Sequence, residues 1–198
     1  MEYIENIRSF LDLRIRRMFV PLTRLLNRIR VTPNQITVAG FLLNLVAAGF
    51  LAKGMLVIAG AVFVVAGLFD MLDGSLARLS RMVTPFGAFF DSTLDRVAEG
   101  VILAAVAYRF AVQGWELGVV VVVLALLGSM LVSYTRARAE GLGLECKVGL
   151  MSRPERIILI AIGLFFNVLL YAMCILLALT ALTVVQRMAH TYRQLDTL

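Results

Sequence analysis

Charge is scarce in this 198-residue chain: 16% of its residues are charged and 61% are apolar. A soluble domain carries about 25% charged and about 45–50% apolar residues. Too little polar surface exists to cover a globule in water, so a soluble or disordered chain is excluded. Cysteine is almost missing; Cys146 and Cys174 give no disulfide framework and read as plain apolar or loop positions. The single histidine, His190, lies in the basic C-terminal tail and reads as solvated. The single tryptophan, Trp115, reads as an interfacial anchor. No cleavable signal peptide is expected, because the first 35 residues hold seven arginines and no apolar run of the right kind. A net charge of +6 could suit nucleic acid, but its distribution points to a membrane, and no nucleic-acid partner is expected.

What the chain does have is long apolar runs. Six stretches approach the ~20 residues a bilayer helix needs: 36–52, 55–79, 86–108, 117–139, 154–170 and 171–187. Asn167 and Tyr171 mark a turn between the last two. With the N-terminus in the cytosol, sixteen Lys and Arg fall on inner segments and only Lys53 and Arg109 on outer loops. That bias places both termini in the cytosol. Over residues 4–29, Ile4, Ile7, Leu11, Ile15, Met18, Leu22 and Leu25 recur every three or four places among arginines, the pattern of a helix lying at anionic headgroups. The expected fold is therefore all-α and integral to the membrane. A juxtamembrane amphipathic helix occupies 1–35, and six transmembrane helices with a short cytosolic tail occupy 36–198.

The informative stretch runs from Phe69 to Gly100. It places Asp70, Asp73, Asp91, Asp95, Arg96 and Glu99 within or beside two apolar spans, where each charge costs a few kcal/mol. Asp70 and Asp95 both lie about 13 Å from the inner ends of their spans at 1.5 Å per residue. At about 100° per residue, Asp70, Asp73, Gly74, Ala77 and Arg78 share one arc of about 140°, and Gly87, Asp91 and Asp95 form a second stripe. Four carboxylates converging in a partly dry cavity repel one another. Hard divalent cations relieve this, and oxygen-only ligands suit Mg²⁺ or Mn²⁺. Two other readings are an ion path, as in a cation or proton transporter, and structural pairing with arginines. For the latter the two helices themselves offer only Arg78 and Arg96.

The series Asp70-x2-Asp73-Gly74-x2-Ala77-Arg78-x8-Gly87-x3-Asp91-x3-Asp95 resembles the signature of the CDP-alcohol phosphotransferase (phosphatidyltransferase) family. Every fixed position and both long spacings match. The resemblance implies transfer of a phosphatidyl group from a CDP-lipid (CDP-diacylglycerol or CDP-archaeol) to an alcohol, with release of CMP. It implies two metal ions held by Asp70, Asp73 and Asp91, with Asp95 closing the second site and serving as the base for the acceptor hydroxyl. Gly74, Arg78 and Thr84 would contact the nucleotide, and Pro33, Asn34, Gln35 and Ile36 the CDP-lipid. The family is commonly homodimeric.

The stretch from Ser133 to Arg156 adds five cations on the same inner side. Arg is well matched to phosphate, and Pro154 can open a helix at its first turn, leaving Arg153 and Arg156 near a helix N-terminus. A phosphorylated alcohol would suit such a pocket. This stretch is similar to that of bacterial phosphatidylinositol phosphate synthases and their archaeal archaetidyl counterparts. The likeness implies inositol phosphate as acceptor, bound by Arg136, Arg153 and Arg156; several relatives carry Lys at the position of Arg136. Glycerol 3-phosphate is the rival acceptor.

Overall fold

The structure, a computed structural model, describes residues 21–80 and 82–196. Six long helices follow one another: α1 (Pro33–Ala52), α2 (Leu56–Leu79), α3 (Pro85–Val112), α4 (Glu116–Glu140), α5 (Arg153–Phe165) and α6 (Leu169–Leu195). Residues 21–28 are also helical. Most of the amphipathic helix expected over 4–29 lies outside the described residues, as does Arg81.

The helix starts follow from local chemistry. Thr32 caps α1: its hydroxyl accepts from the Gln35 amide at 3.4 Å, and the Gln35 side chain accepts from the Thr32 amide at 2.9 Å. This reciprocal box, with Pro33 in the first turn, frees no backbone donor to continue upstream. Thr84 and Pro85 repeat the arrangement at α3, where the Thr84 hydroxyl accepts from the Gly87 amide at 3.0 Å. Asn167, with φ 56°, breaks the chain between α5 and α6, so the last apolar stretch is two helices.

Their lengths differ from expectation. α5 ends at Phe165 after 13 residues, about 20 Å, short of a hydrocarbon core of about 30 Å. α6 begins at Leu169 and continues through the expected tail to Leu195, while α3 runs on to Val112. Among the described residues, four helices (α1, α2, α4 and α6) are long and apolar enough to cross a membrane, and the protein is a multi-pass membrane protein. α3 is longer than any of them, but Asp91, Asp95, Arg96 and Glu99 interrupt its apolar character.

α1 packs on α2 and α3, α4 on α3 and α6, and α5 on α2 and α6. Small residues set these approaches, as expected where backbones must come close without a hydrophobic drive. A Cβ at Gly40 would lie 3.1 Å from the Phe69 Cβ, and one at Gly128 only 2.4 Å from the Thr180 hydroxyl oxygen. Leu51, Phe63, Leu103, Phe110, Leu164 and Leu176 form the main core. A smaller cluster of Ile36, Leu72 and Leu76 sits at the other end, covered by Leu26 and Val31. Leu42, Val57, Val123, Ile175 and Val185 point outward and are exposed, as lipid-facing side chains are. The turns at 80–84 and 141–152 lie at the end of the bundle that carries the acids, and those at 53–55, 113–115 and 166–168 at the opposite end.

Candidate active site

Antiparallel α2 and α3 bring their acidic stripes together. One carboxylate oxygen from each of Asp70, Asp91 and Asp95 lies within 4.8 Å of the others. Asp73 is not one of these three but lies beside them. It is buried, and its Oδ2 accepts from the Thr37 hydroxyl of α1 at 2.7 Å, although it lines the same small cavity as Asp70 and Asp95.

The counter-charges come from a third helix. The Arg153 guanidinium, in the first turn of α5, pairs with Asp70 through one nitrogen and with Asp95 through the other, the latter at 2.6 Å. One turn on, Arg156 grips Glu99 with two hydrogen bonds of 2.6 and 2.8 Å. α2 and α3 themselves offer only Arg78 and Arg96, but the fold inserts the start of α5 beside both and supplies Arg153 and Arg156. Arg96 instead donates to the Ser92 carbonyl of its own helix. The Arg78 guanidinium folds over Gly74, where an added Cβ would lie 3.5 Å from its nearest nitrogen.

The acidic trio fits a divalent cation. All its donors are oxygens, the hard-ion ligand type, and the Asp91 Oδ1 is buried with no hydrogen-bond partner. A buried carboxylate oxygen left unpaired is costly, and a cation would satisfy it.

A cavity of about 360 Å³ opens beside this cluster. It shares Asp95 and Arg153 with the acids and is walled further by Arg96, Arg136, Arg156 and Arg187. Of the three arginines expected here, Arg136 is half exposed and pairs with Glu140 at 2.8 Å, whereas Arg153 and Arg156 are held by acids. Arg187 was not singled out in the sequence, where it reads as one of the inner topology charges. It is buried, and its guanidinium donates to the carbonyls of Val148, at 3.0 Å, and of Val132. The signal for it was a lone arginine directly after an apolar run, which topology alone also explains.

The 141–152 segment closes this wall by docking on α6. The Met151 amide donates to the Thr183 hydroxyl at 3.0 Å. Gly149, with φ 124°, passes so close that a Cβ would lie 2.5 Å from the Thr183 methyl. His190, expected to be solvated, is half-buried here, its Nε2 3.2 Å from the Glu145 carbonyl oxygen. The correction has a simple cause: α6 continues past the apolar run, so the histidine lies on a helix that the segment covers. Of the two cysteines, Cys146 is buried in the segment and Cys174 is exposed on α6.

The remaining singled-out residues gather at the starts of α1 and α3. Asn34 and Thr84 face each other across Gly87, whose added Cβ would lie 3.5 Å from the Asn34 Oδ1 and 3.0 Å from the Thr84 Oγ1. Pro33 and Gln35 complete the α1 cap, and Ile36 is buried with Leu72 and Leu76.

Residues 30–188 match the family model for CDP-alcohol phosphatidyltransferase. The chain is 38% identical over 187 residues to an archaetidylinositol phosphate synthase of Methanothermobacter thermautotrophicus, covering 91% of this chain and 92% of that one. It is 38% identical over 183 residues to a phosphatidylinositol phosphate synthase of Mycobacteroides abscessus, covering 87% and 82%. Among solved structures it is similar to the phosphatidylinositol phosphate synthase of Mycobacterium tuberculosis with CDP-DAG bound, at a TM-score of 0.82 and 30% identity over 89% of this chain and 94% of that one. The same enzyme in complex with manganese and citrate matches at a TM-score of 0.79 over 87% and 88%. The acidic signature across α2 and α3 thus sits in a chain whose length, fold and sequence match one group of transferases: the protein belongs to the CDP-alcohol phosphatidyltransferase family.

Proposed function

We propose that the protein transfers the phosphatidyl or archaetidyl group of a CDP-lipid to a hydroxyl of inositol phosphate, releasing CMP. The observation that carries this reading is the arginine-walled cavity joined to the carboxylate cluster through Asp95 and Arg153. A phosphorylated polyol placed there has its phosphate among guanidinium groups and a hydroxyl beside Asp95. The names of the relatives at 38% identity support the same acceptor.

In this reading Asp70, Asp73, Asp91 and Asp95 hold two divalent ions, Mg²⁺ or in its place Mn²⁺. When bound, the ions supply Lewis-acid polarisation of the pyrophosphate and stabilise the CMP leaving group. The chain's own side chains do the rest. Pro33, Asn34, Gln35 and Thr84, at the mouth formed by α1 and α3, and Gly74 with Arg78 seat the nucleotide end of the donor; Ile36 anchors that mouth from below. Arg136, Arg153 and Arg156 orient the acceptor phosphate, and buried Arg187 adds charge to the same wall. Asp95 takes the proton from the acceptor hydroxyl as its oxygen forms the new bond to the lipid-linked phosphorus and the bond to CMP breaks. Proximity supplies much of the rate, since a carboxylate is a weak base.

The topology we infer has six spans in residues 36–198, both termini in the cytosol, the cavity facing the cytosol, and residues 1–35 as an amphipathic helix at the headgroups. A homodimer is part of the same proposal. The deciding assay uses purified protein, CDP-lipid and Mg²⁺, with inositol 1-phosphate, free inositol or glycerol 3-phosphate added separately, and follows CMP. Release with inositol 1-phosphate alone is expected. Release with glycerol 3-phosphate alone would overturn the acceptor.

A further inference from the structure

At the end of the bundle remote from the acids, three turns converge on a second cavity of about 220 Å³, with a mixed polar and apolar lining. Its polar lining consists of Arg109, Gln113, Trp115, Asn167 and Tyr171. Every one of these side chains can donate a hydrogen bond, Arg and Trp can only donate, and no carboxylate lines the space. Arg109 is half-buried, and no hydrogen bond or ion pair of its guanidinium is found among the described residues. It lies against the bare backbone of Gly54, where a Cβ would come within 3.1 Å of a guanidinium nitrogen. A guanidinium serving only to mark topology would extend into water; this one is held inward, over a turn that leaves room for it. The rest of the lining is apolar (Leu56, Phe110, Val168, Leu169, Leu170), and the rim carries exposed Trp115 and Tyr171, side chains that favour the headgroup level of a bilayer.

We propose that this cavity binds a phosphate anion, and that the anion is the headgroup of a phospholipid in the leaflet opposite the acidic cluster. Arg109 supplies the charge, Gln113, Asn167 and Tyr171 supply further donors, and the apolar half accommodates the start of the lipid tails. A free phosphate shares the anion chemistry but has no use for that apolar half. The site is separate from the transferase chemistry and stands whatever the acceptor is.

Trp115 makes the test local, since it is the only tryptophan of the chain. Detergent-purified protein is titrated with phosphatidylglycerol, with uncharged diacylglycerol of the same chains, and with inorganic phosphate, while tryptophan emission is followed. Phosphatidylglycerol should give a saturable change. Its affinity should fall about tenfold or more in R109Q, the scale of one lost charge-assisted bond, and recover to within a few-fold in R109K, which shows that the loss is of charge and not of fold. CMP release should be unchanged in R109Q. A saturable response to inorganic phosphate without one to phosphatidylglycerol would overturn the lipid as the source. Equal binding by diacylglycerol, or by R109Q, would overturn the anion site itself.

Discussion

Replacing Arg153 with Gln should tighten metal binding while weakening acceptor binding. The guanidinium sits between Asp70 and Asp95, two of the three residues whose oxygens cluster. A divalent ion entering there must displace it or share its carboxylates. At about 4 Å between charge centres and an effective dielectric of 20, each contact is worth about 4 kcal/mol before desolvation. Net hydrogen bonds to charged groups contribute about 1.5–3 kcal/mol each. Part of the pair's total returns when the displaced guanidinium finds water or an anion in the neighbouring cavity. The remainder, about 2–3 kcal/mol, predicts roughly 30- to 150-fold tighter binding in R153Q. Mn²⁺ binding to the purified protein, read from loss of the free-ion electron paramagnetic resonance signal, measures this directly and needs no turnover. R153K, which keeps the charge, should stay near wild type. A Mn²⁺ dissociation constant that is unchanged or weaker in R153Q would refute the idea that Arg153 occupies the place of the ion.

Asp95→Asn should lower kcat for CMP release by about 10²- to 10⁴-fold with little change in donor KM, measured by steady-state kinetics; an unaltered kcat would remove Asp95 as the base. Glu99→Gln leaves a buried Arg156 without its charge partner and should destabilise the protein by about 3–5 kcal/mol, seen as a lower thermal transition in detergent, whereas a double change of Glu99 to Gln and Arg156 to Met should recover part of that loss; purely additive losses would deny the coupling. Gly149→Ala forces a methyl group into Thr183 and strains a φ of 124°, so the 141–152 segment should lift from α6, raising acceptor KM more than donor KM; equal effects on both would place the segment outside the acceptor wall.

Much of this was legible because it is periodic. The 3.6-residue repeat placed Asp70 and Asp95 at matching depth, and their facing stripes do meet in three dimensions. Pro154 announced the start of α5, and Asn167 the break before α6. What was not legible required a third partner. Asp73 repeats Asp70 by one turn and reads as its twin, yet it is drawn off by Thr37, a residue on α1 that carries no signal in an apolar helix. The arginines of α5 read as free phosphate ligands because pairing with Glu99, Asp95 and Asp70, all far away in the chain, leaves no local pattern. The length of α5 was overread for a related reason: hydropathy continues through 166–168, and only a left-handed backbone at Asn167 ends the helix there.

The placement of α5 connects the two halves of the site. Neutral residues at 153 and 156 would leave Asp70, Asp95 and Glu99 without these counter-charges in an apolar bundle, so the arginines stabilise the acids until an ion or substrate takes their place. Those arginines stand at the boundary between the carboxylates and the 360 Å³ cavity. They cannot neutralise the acids and a substrate phosphate in full at once. Whatever satisfies Asp70 and Asp95 in place of Arg153 therefore releases a guanidinium toward the cavity, and whatever anion enters the cavity loosens its hold on the acids. Arg156 is bound differently. Its bidentate grip on Glu99 is shielded on both sides, which suits a fixed wall, whereas Arg153 divides its two nitrogens between two partners and is the one positioned to move.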